Sequence, residues 1–260
     1  MSFHALRFNR SASRYESEAG VQSRMANRLL ELWSGSEPAN ILEFGCGTGI
    51  LTRRLEDRFP VSAILATDAA PIMLAEARKN RAESSRVLFV EQDAQGQAEA
   101  SKEISSHAPF DLIASNALVQ WFPDLENHFH FAAGLVQPEG AYLVSGFTRS
   151  NFPELNELLA EPPFSYRSFP GHDSDAVRKV AGKSGWKTLV METWEETEIL
   201  PSVRDVLHRI QSLGSTRDPR EGGRLNRRNL DYLVSEYTRR FSEPGWVRLT
   251  WQPWIALLMR

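Results

Sequence analysis

One cysteine, Cys46, stands in 260 residues, so no disulfide can close within the chain, which suits a reducing compartment such as the cytoplasm. No apolar run approaches the ~20 residues a membrane-spanning helix requires. Neither sign of charge dominates: 30 Lys and Arg against 33 Asp and Glu leave a net −3, which gives no whole-molecule attraction to nucleic acid. Internal repeats are missing too. Histidines are few, and His128 and His130, two apart on an expected helix, do not share a face, so no metal site is expected. What remains is an ordinary globular composition, 42% hydrophobic and 24% charged, in a chain long enough for one large α/β domain or a domain with a lid.

Also missing is a complete dinucleotide fingerprint, although its beginning is present. Ile41 to Gly49 reads Ile-Leu-Glu-Phe-Gly-Cys-Gly-Thr-Gly. Ile41, Leu42 and Phe44 are bulky and apolar, as a buried strand requires. The glycines then stop the strand, and Ile50-Leu-Thr-Arg-Arg-Leu55 continues with helical spacing. A strand, a glycine turn and a helix make a nucleotide-binding crevice, because glycine lets backbone approach a ligand and the helix start offers unpaired N–H groups. Gly-x-Gly-x-x-Gly fails here, since its last position falls on Ile50 or Thr52. The pattern that stands is Glu43-x-Gly45-x-Gly47-x-Gly49, which resembles the first motif of class I S-adenosylmethionine (SAM) methyltransferases. A tight turn with no ligand is the alternative.

Along the chain, Met25, Leu29, Leu30 and Trp33 recur at helical spacing and predict an amphipathic helix over 21–33. Strands follow at 41–44, 62–67, 86–91, 110–115 and 141–147, and helices at 49–58, from Pro71, and at 124–136. Asp124 reads as a helix cap and 137–140 as a turn. The polar run 94–106 reads as a surface connection. This alternation predicts a doubly wound α/β sheet, mostly parallel, with right-handed crossovers. Later, 151–160 and 174–184 read as helices, 186–200 and 246–259 as one strand each, and 202–240 as two helices around an Arg- and Gly-rich loop. Pro253 must bend its strand or leave it at an edge. The expected layout is one seven-stranded domain, 1–260, with a core of 36–150, 172–200 and 245–260. Lid and substrate elements take 1–35, 151–171 and 201–244.

Ligands bind beyond the carboxyl ends of the strands in such a sheet. The first end offers Glu43, suited to an amino group or an ordered water, with the glycines. The second offers Asp68, about 20 residues past the glycine loop, which can accept from both ribose hydroxyls or simply cap the helix before Pro71. The third offers Asp93 for an adenine amino group, with the Ala94 N–H facing a ring nitrogen. The fourth offers Asn116, whose backbone carbonyl or side chain can hold a methionine portion. Cys46, Ala69 and Met73 complete the expected cofactor-binding set, and Cys46 reads as a small buried side chain rather than a nucleophile.

The set Glu-Phe-Gly-Cys-Gly-Thr-Gly, Asp68, Gln92-Asp-Ala94 and Phe110-Asp-Leu-Ile-Ala-Ser-Asn116 resembles the class I methyltransferase series. Ser115-Asn-Ala-Leu-Val-Gln-Trp-Phe-Pro-Asp124 resembles more specifically the malonyl-acyl-carrier-protein O-methyltransferase family of biotin synthesis. Phe8-Asn-Arg-Ser-Ala-Ser-Arg-Tyr15, Leu213-Gly-Ser-Thr-Arg217 and Leu249-Thr-Trp-Gln-Pro-Trp-Ile-Ala256 support it, so the resemblance covers nearly the whole chain. The arginines at 7, 10 and 14 are similar to those of a mitochondrial transit peptide, but in the family this segment covers the cofactor.

The resemblance implies methyl transfer from SAM to the free carboxylate of a malonyl thioester on acyl carrier protein, with S-adenosylhomocysteine as co-product. Tyr15, Gln120 and Trp121 are expected on the substrate side, and so is Arg149, from its place after the fifth strand and not from a family match, with Arg217 in the insertion a rival to it for the carboxylate. Gln120, one helical turn past Asn116, shares its face if that segment is helical. The arginines of 204–228 offer a local basic surface for an acidic carrier protein, and a solvated helical face is the alternative. Two other functions fit the superfamily: a methyltransferase of small acids such as trans-aconitate, and a methyltransferase-like assembly factor or hydroxylase.

Overall fold

The chain is seen in a computed structural model that describes residues 18–80, 85–95, 100–164, 169, 171–212 and 226–260. Helix α1 (Gly20–Glu31) leads into strand β1 (Asn40–Phe44), and the alternation then runs α2 (Ile50–Arg58), β2 (Ala63–Asp68), α3 (Pro71–Lys79) and β3 (Val87–Glu91). It continues through α4 (Lys102–His107), β4 (Phe110–Ser115), a 3-10 turn (Val119–Trp121), α5 (Leu125–Leu135) and β5 (Val136–Phe147). Then come α6 (Pro153–Ala160), α7 (Ser174–Lys183), β6 (Lys187–Thr193), β7 (Glu196–Leu200), α8 (Val203–Ser212) and α9 (Arg227–Phe241). Strands β8 (Ser242–Glu243), β9 (Trp246–Trp251) and β10 (Pro253–Met259) close the fold.

Seven strands form one sheet in the order β3-β2-β1-β4-β5-β10-β6, with β10 antiparallel to both neighbours and the first five strands parallel. Strand order reverses between β1 and β4, which opens a crevice at their carboxyl ends. Both faces of the sheet are covered, and the period of two explains how. Ile41, Ile64 and Leu112 join a core under α1 and α2, while Leu42, Leu65 and Ile113 join a core with Phe129, Val177 and Trp254. Asp124 caps α5 as expected, accepting from the Asn127 N–H at 3.1 Å.

Three local expectations change. The turn at 137–140 lies inside β5: Val136 still pairs with Phe110, the register then shifts, and Glu139 takes φ 67°. The polar run 94–106 holds a helix, α4, whose cap Ser101 accepts from the Ile104 N–H. The two long late strands are each divided. Their distal halves, β7 and β9, leave the large sheet and pair with β8 in a second, three-stranded sheet. The break falls where proline removes a donor, at Gln252-Pro253, and opposite it at Trp194-Glu195. Freed polar groups at this corner find partners: the Gln252 N–H donates to Asn151 Oδ1 at 2.7 Å, and its carbonyl accepts from the Thr148 N–H at 3.0 Å.

Helices α6, α8 and α9 pack on the second sheet. The α6 residue Glu154, almost fully buried, accepts from the Thr250 N–H at 3.1 Å and from Thr250 Oγ1 at 2.5 Å. Ion pairs strap α1 across β6 and β7. Arg28 meets Glu192 at 2.8 Å and lies over the Trp194 ring, and Arg24 meets Glu196. Arg209 of α8 joins the same strap by pairing with Glu198 at 2.5 Å and with Glu18 at 3.6 Å. Among the described residues no helix is long and apolar enough to cross a membrane.

Candidate functional site

The crevice at the β1–β4 reversal is walled by Glu43 and the turn Gly45–Thr48 of the β1 end, by Gln22 of α1 and by Asn116 of the β4 end. The turn is built on left-handed backbone. Gly45 has φ +65°, and a Cβ there would meet Leu118 at 2.7 Å. Gly47 has φ +55° and presents its Cα to open space, so bare backbone faces the crevice. A Cβ at Gly47 would project where a ligand approaches, which is the cradle a SAM-like molecule needs.

Buried acids stand behind this turn. Glu43 is almost wholly buried and accepts from Thr52 Oγ1 at 2.6 Å. Burial, opposed by Thr52 and helped by nearby Asp68, pushes its carboxyl up to about 8. Asp68 ties two loops together, accepting from the Gly47 N–H at 2.9 Å and the Ala70 N–H at 2.8 Å. Loss of water pushes it up to about 6 against the Ala70, Gly47 and Ala69 N–H groups. These three N–H groups still leave a carboxylate with a lone pair to spare, so a ribose hydroxyl can be received. The helix after it begins at Pro71, and Met73 there is buried. Burial together with Glu43 and Asp68 drives the Cys46 thiol up, away from the thiolate a nucleophile needs.

At the β3 end, Asp93 accepts from the Gln95 N–H at 3.0 Å, and the Asp93 carbonyl accepts from Gln92 Nε2 at 3.0 Å. The Ala94 carbonyl is bonded to His128 Nδ1 at 2.5 Å. A carbonyl only accepts, so Nδ1 carries the proton. Burial lowers His128 to about 4 and keeps it neutral, so its Nε2 accepts from the Tyr142 hydroxyl at 2.8 Å. Tyr142 in turn accepts from Ser115 Oγ at 2.9 Å. A buried relay thus joins the ends of β3 and β4 through α5 and β5. Asn116 spends its side chain structurally: Nδ2 donates to the Gln22 carbonyl at 2.9 Å, and Oδ1 accepts from Ser145 Oγ at 2.8 Å. That leaves its backbone, not its amide, for a ligand.

The expected substrate-side residues do not all gather at the crevice. Residues 116–121 are not one helix: Ala117 takes φ 53° and only Val119–Trp121 turns. Gln120, buried, folds back to donate to the Ala117 carbonyl at 2.6 Å, so it does not extend a face shared with Asn116. Trp121 bridges the two cores and meets Phe169 edge-on at 5.9 Å. Arg149 is exposed in the loop after β5, with its N–H donating to Asp173 Oδ1, and it does not line the crevice. Tyr15 and Arg217 lie outside the described residues. Of the arginines in 204–228, Arg209 is committed to the α1 strap, while Arg204, Arg227 and Arg228 are exposed. No group of three His, Cys, Asp or Glu among the described residues could hold a metal.

Two crevice residues escaped the sequence reading. Gln22 sits on the buried stripe Gln22, Met25, Ala26, Leu29 of α1, a polar residue at an apolar phase. Thr48 lies within the glycine motif itself. Gln22 Oε1 and Thr48 Oγ1 are buried with no hydrogen-bond partner among the described residues. His128 carries the same signal as Gln22, since it falls on the buried stripe Leu125, His128, Phe129, Ala132 of α5.

Comparison with known proteins agrees with this geometry. Residues 41–140 match a family described as "Methyltransferase domain". A malonyl-acyl-carrier-protein O-methyltransferase of Anoxybacillus flavithermus is 31% identical over 256 residues, covering 94% of this chain and 92% of that protein. One of the same description from Geobacter sulfurreducens is 29% identical, covering 90% and 89%. In fold, the chain resembles phosphoethanolamine N-methyltransferase 2 of Haemonchus contortus, solved with S-adenosyl-L-methionine. That match has a TM-score of 0.57 at 16% identity and covers 95% of this chain and 56% of that one. The strand order is that of the class I SAM methyltransferase fold, and relatives aligned over nine-tenths or more of the chain place it in the malonyl-acyl-carrier-protein O-methyltransferase family.

Proposed function

We propose that the protein transfers the methyl group of SAM to the free carboxylate of a malonyl thioester on acyl carrier protein, giving the methyl ester that primes biotin synthesis. The observation that carries this reading is the likeness to family relatives over nine-tenths of the chain. The cofactor, when bound, supplies an electrophilic methyl on a sulfonium: a carboxylate oxygen gains the new C–O bond as the S–CH3 bond breaks. A malonyl carboxylate ordinarily titrates near 4 and is ionised at neutral pH. No general base is required of the protein.

The protein's own residues therefore hold, align and dry the reactants. Asp68 would receive the ribose hydroxyls, Asp93 and the Ala94 N–H the adenine, and the Asn116 carbonyl the methionine chain. Alignment of nucleophile and donor contributes ~7–11 kcal/mol in well-oriented reactions. Tyr15, Gln120 and Trp121 are assigned to the substrate side, and Arg149 and Arg217 are the rival candidates for the carboxylate. Carrier-protein docking is assigned to the exposed Arg227 and Arg228. They open α9, whose first turn holds no acid, so helix dipole and side chains add to one positive spot. We place the reaction in the cytoplasm.

Intact-mass measurement of malonyl-acyl carrier protein after incubation with SAM tests the reading, and a gain of one methyl is expected. Preferred methylation of free trans-aconitate would replace the carrier-protein reading with that of a small-acid enzyme. Absence of SAM turnover on either would move the chain to the non-methylating members of the superfamily.

A further inference from the structure

We infer that His128 is a positioning residue for the base of the cofactor: the buried chain Ser115–Tyr142–His128 holds the Ala94 carbonyl and so aims Asp93 and the Ala94 N–H at the adenine. The inference rests on the SAM reading of the crevice and deepens it. The chain is closed at every link. Ser115 Oγ lies 2.9 Å from the Tyr142 hydroxyl, that hydroxyl 2.8 Å from His128 Nε2, and His128 Nδ1 2.5 Å from the Ala94 carbonyl. The carbonyl at the far end can only accept, which fixes each proton in turn: serine donates to tyrosine, tyrosine to the imidazole, the imidazole to Ala94. Ser115, His128 and Tyr142 are wholly buried, so water does not compete for these bonds.

The place of the Asp93 loop explains what the chain is for. Strand β3 is an edge of the large sheet, and within it only Phe89 is buried. The loop that follows turns inward, and Ala94 joins the core that holds Leu42, Phe44 and Leu65. Among the described residues the other side-chain bonds of this loop are local. Asp93 Oδ1 accepts from the Gln95 N–H, and Gln92 reaches the Asp93 carbonyl and the Ser101 N–H. Such bonds shape a loop without fixing it against the sheet. His128, 34 residues away, supplies the distant tie, and the Phe44 and Phe122 rings pack on its imidazole with centroids at 5.6 and 4.8 Å. Packing alone would select another residue there. Leu125, Phe129 and Ala132 make the rest of the buried α5 stripe, and an imidazole among them gives up hydration that an aliphatic side chain never had. A buried polar network with every member satisfied specifies one arrangement. The arrangement specified here is that of the two residues fit for the base.

The test compares two bases on one ligand. S-inosylhomocysteine differs from S-adenosylhomocysteine in carrying a carbonyl where adenine has its amino group, and a carboxylate such as Asp93 repels that carbonyl. Calorimetry on the full chain is expected to show wild type preferring S-adenosylhomocysteine roughly 30-fold, the worth of a hydrogen bond to a charged group. His128→Leu removes the bond to Ala94 and is expected to cut that preference about tenfold. His128→Asn keeps a donor for the carbonyl and should hold the preference within about twofold of wild type. Tyr142→Phe deletes one oxygen and frees the imidazole to turn. It is expected to cut the preference about threefold, and it carries the test should the leucine variant not fold. A lower melting midpoint with the preference unchanged in both His128→Leu and Tyr142→Phe would overturn the inference, because the chain would then serve folding alone. An asparagine variant as unselective as the leucine one would overturn it too. Wild type that binds S-adenosylhomocysteine without preferring it would remove adenine from Asp93, and the inference with it. Wild type that binds neither ligand would instead overturn the cofactor reading itself.

Discussion

Glu43 and His128 are buried groups whose charged forms the interior disfavours, and they push stability in opposite directions with pH. Glu43 rises from 4.5 to about 8, so the contribution of its protonated form is complete below 4.5 and is lost as pH climbs towards 8. Asp68, moved from 3.8 to about 6, acts in the same sense over a lower window. His128 is lowered from 6.5 to about 4, so its contribution is complete above 6.5 and is lost as pH falls towards 4. Urea unfolding across pH should therefore show a shallower decline from pH 4.5 to about 8 in Glu43→Gln and a shallower decline from pH 6.5 down to about 4 in His128→Asn. The asparagine keeps a donor for the Ala94 carbonyl. Profiles parallel to wild type would refute both statements. For the cofactor, Asp68→Ala should cost about 1.5–3 kcal/mol of S-adenosylhomocysteine binding by calorimetry, the worth of charged hydrogen bonds. Unchanged affinity would remove Asp68 from the site.

Among elements, the parallel strands were legible because burial on both faces writes itself as short apolar runs, as in Ile41–Phe44 and Phe110–Ser115. The strand ends were legible for the same reason, and so were the residues standing on them. The corner between the two sheets was not. Its stability depends on Asn151, which lies 101 residues from Gln252 in sequence, and no local pattern announces that partnership. Asn151→Ala should cost about 1–3 kcal/mol in urea unfolding through the unsatisfied Gln252 N–H. A change near zero would mean that water takes the asparagine's place. The face expected to be shared by Asn116 and Gln120 is lost for a related reason: Ala117 turns left-handed and breaks the helical phase that would have aligned them. At the start of α9, Arg227 and Arg228 oppose the helix dipole. Changing both to Glu should hold or raise the melting midpoint while weakening turnover of a carrier-protein thioester, and should spare a small malonyl thioester. Equal loss on both substrates would contradict a docking role.

For the molecule as a whole, topology does most of the functional positioning. Strand order reverses once in the parallel half of the sheet, and the glycine turn, Asp68, the Asp93 loop and Asn116 all stand on that one rim. The chemistry proposed for the rim needs no titrating group in the reaction, only closure over a charged reactant. That closure depends on α1, which carries Gln22 into the crevice and is strapped down through Arg24, Arg28 and Arg209. Arg28 and Glu192 are each 41% exposed, and Arg24 is 57% exposed, so electrolyte reaches these links readily. The roof of the crevice is thus fastened in part by salt-labile clasps. Raising sodium chloride from ~0.05 to ~0.5 M should quicken S-adenosylhomocysteine release in stopped-flow displacement, and Arg24→Met with Arg28→Met should abolish that sensitivity. Brine would then act on this protein as a latch-lifter, freeing bound cofactor without unfolding the chain that held it.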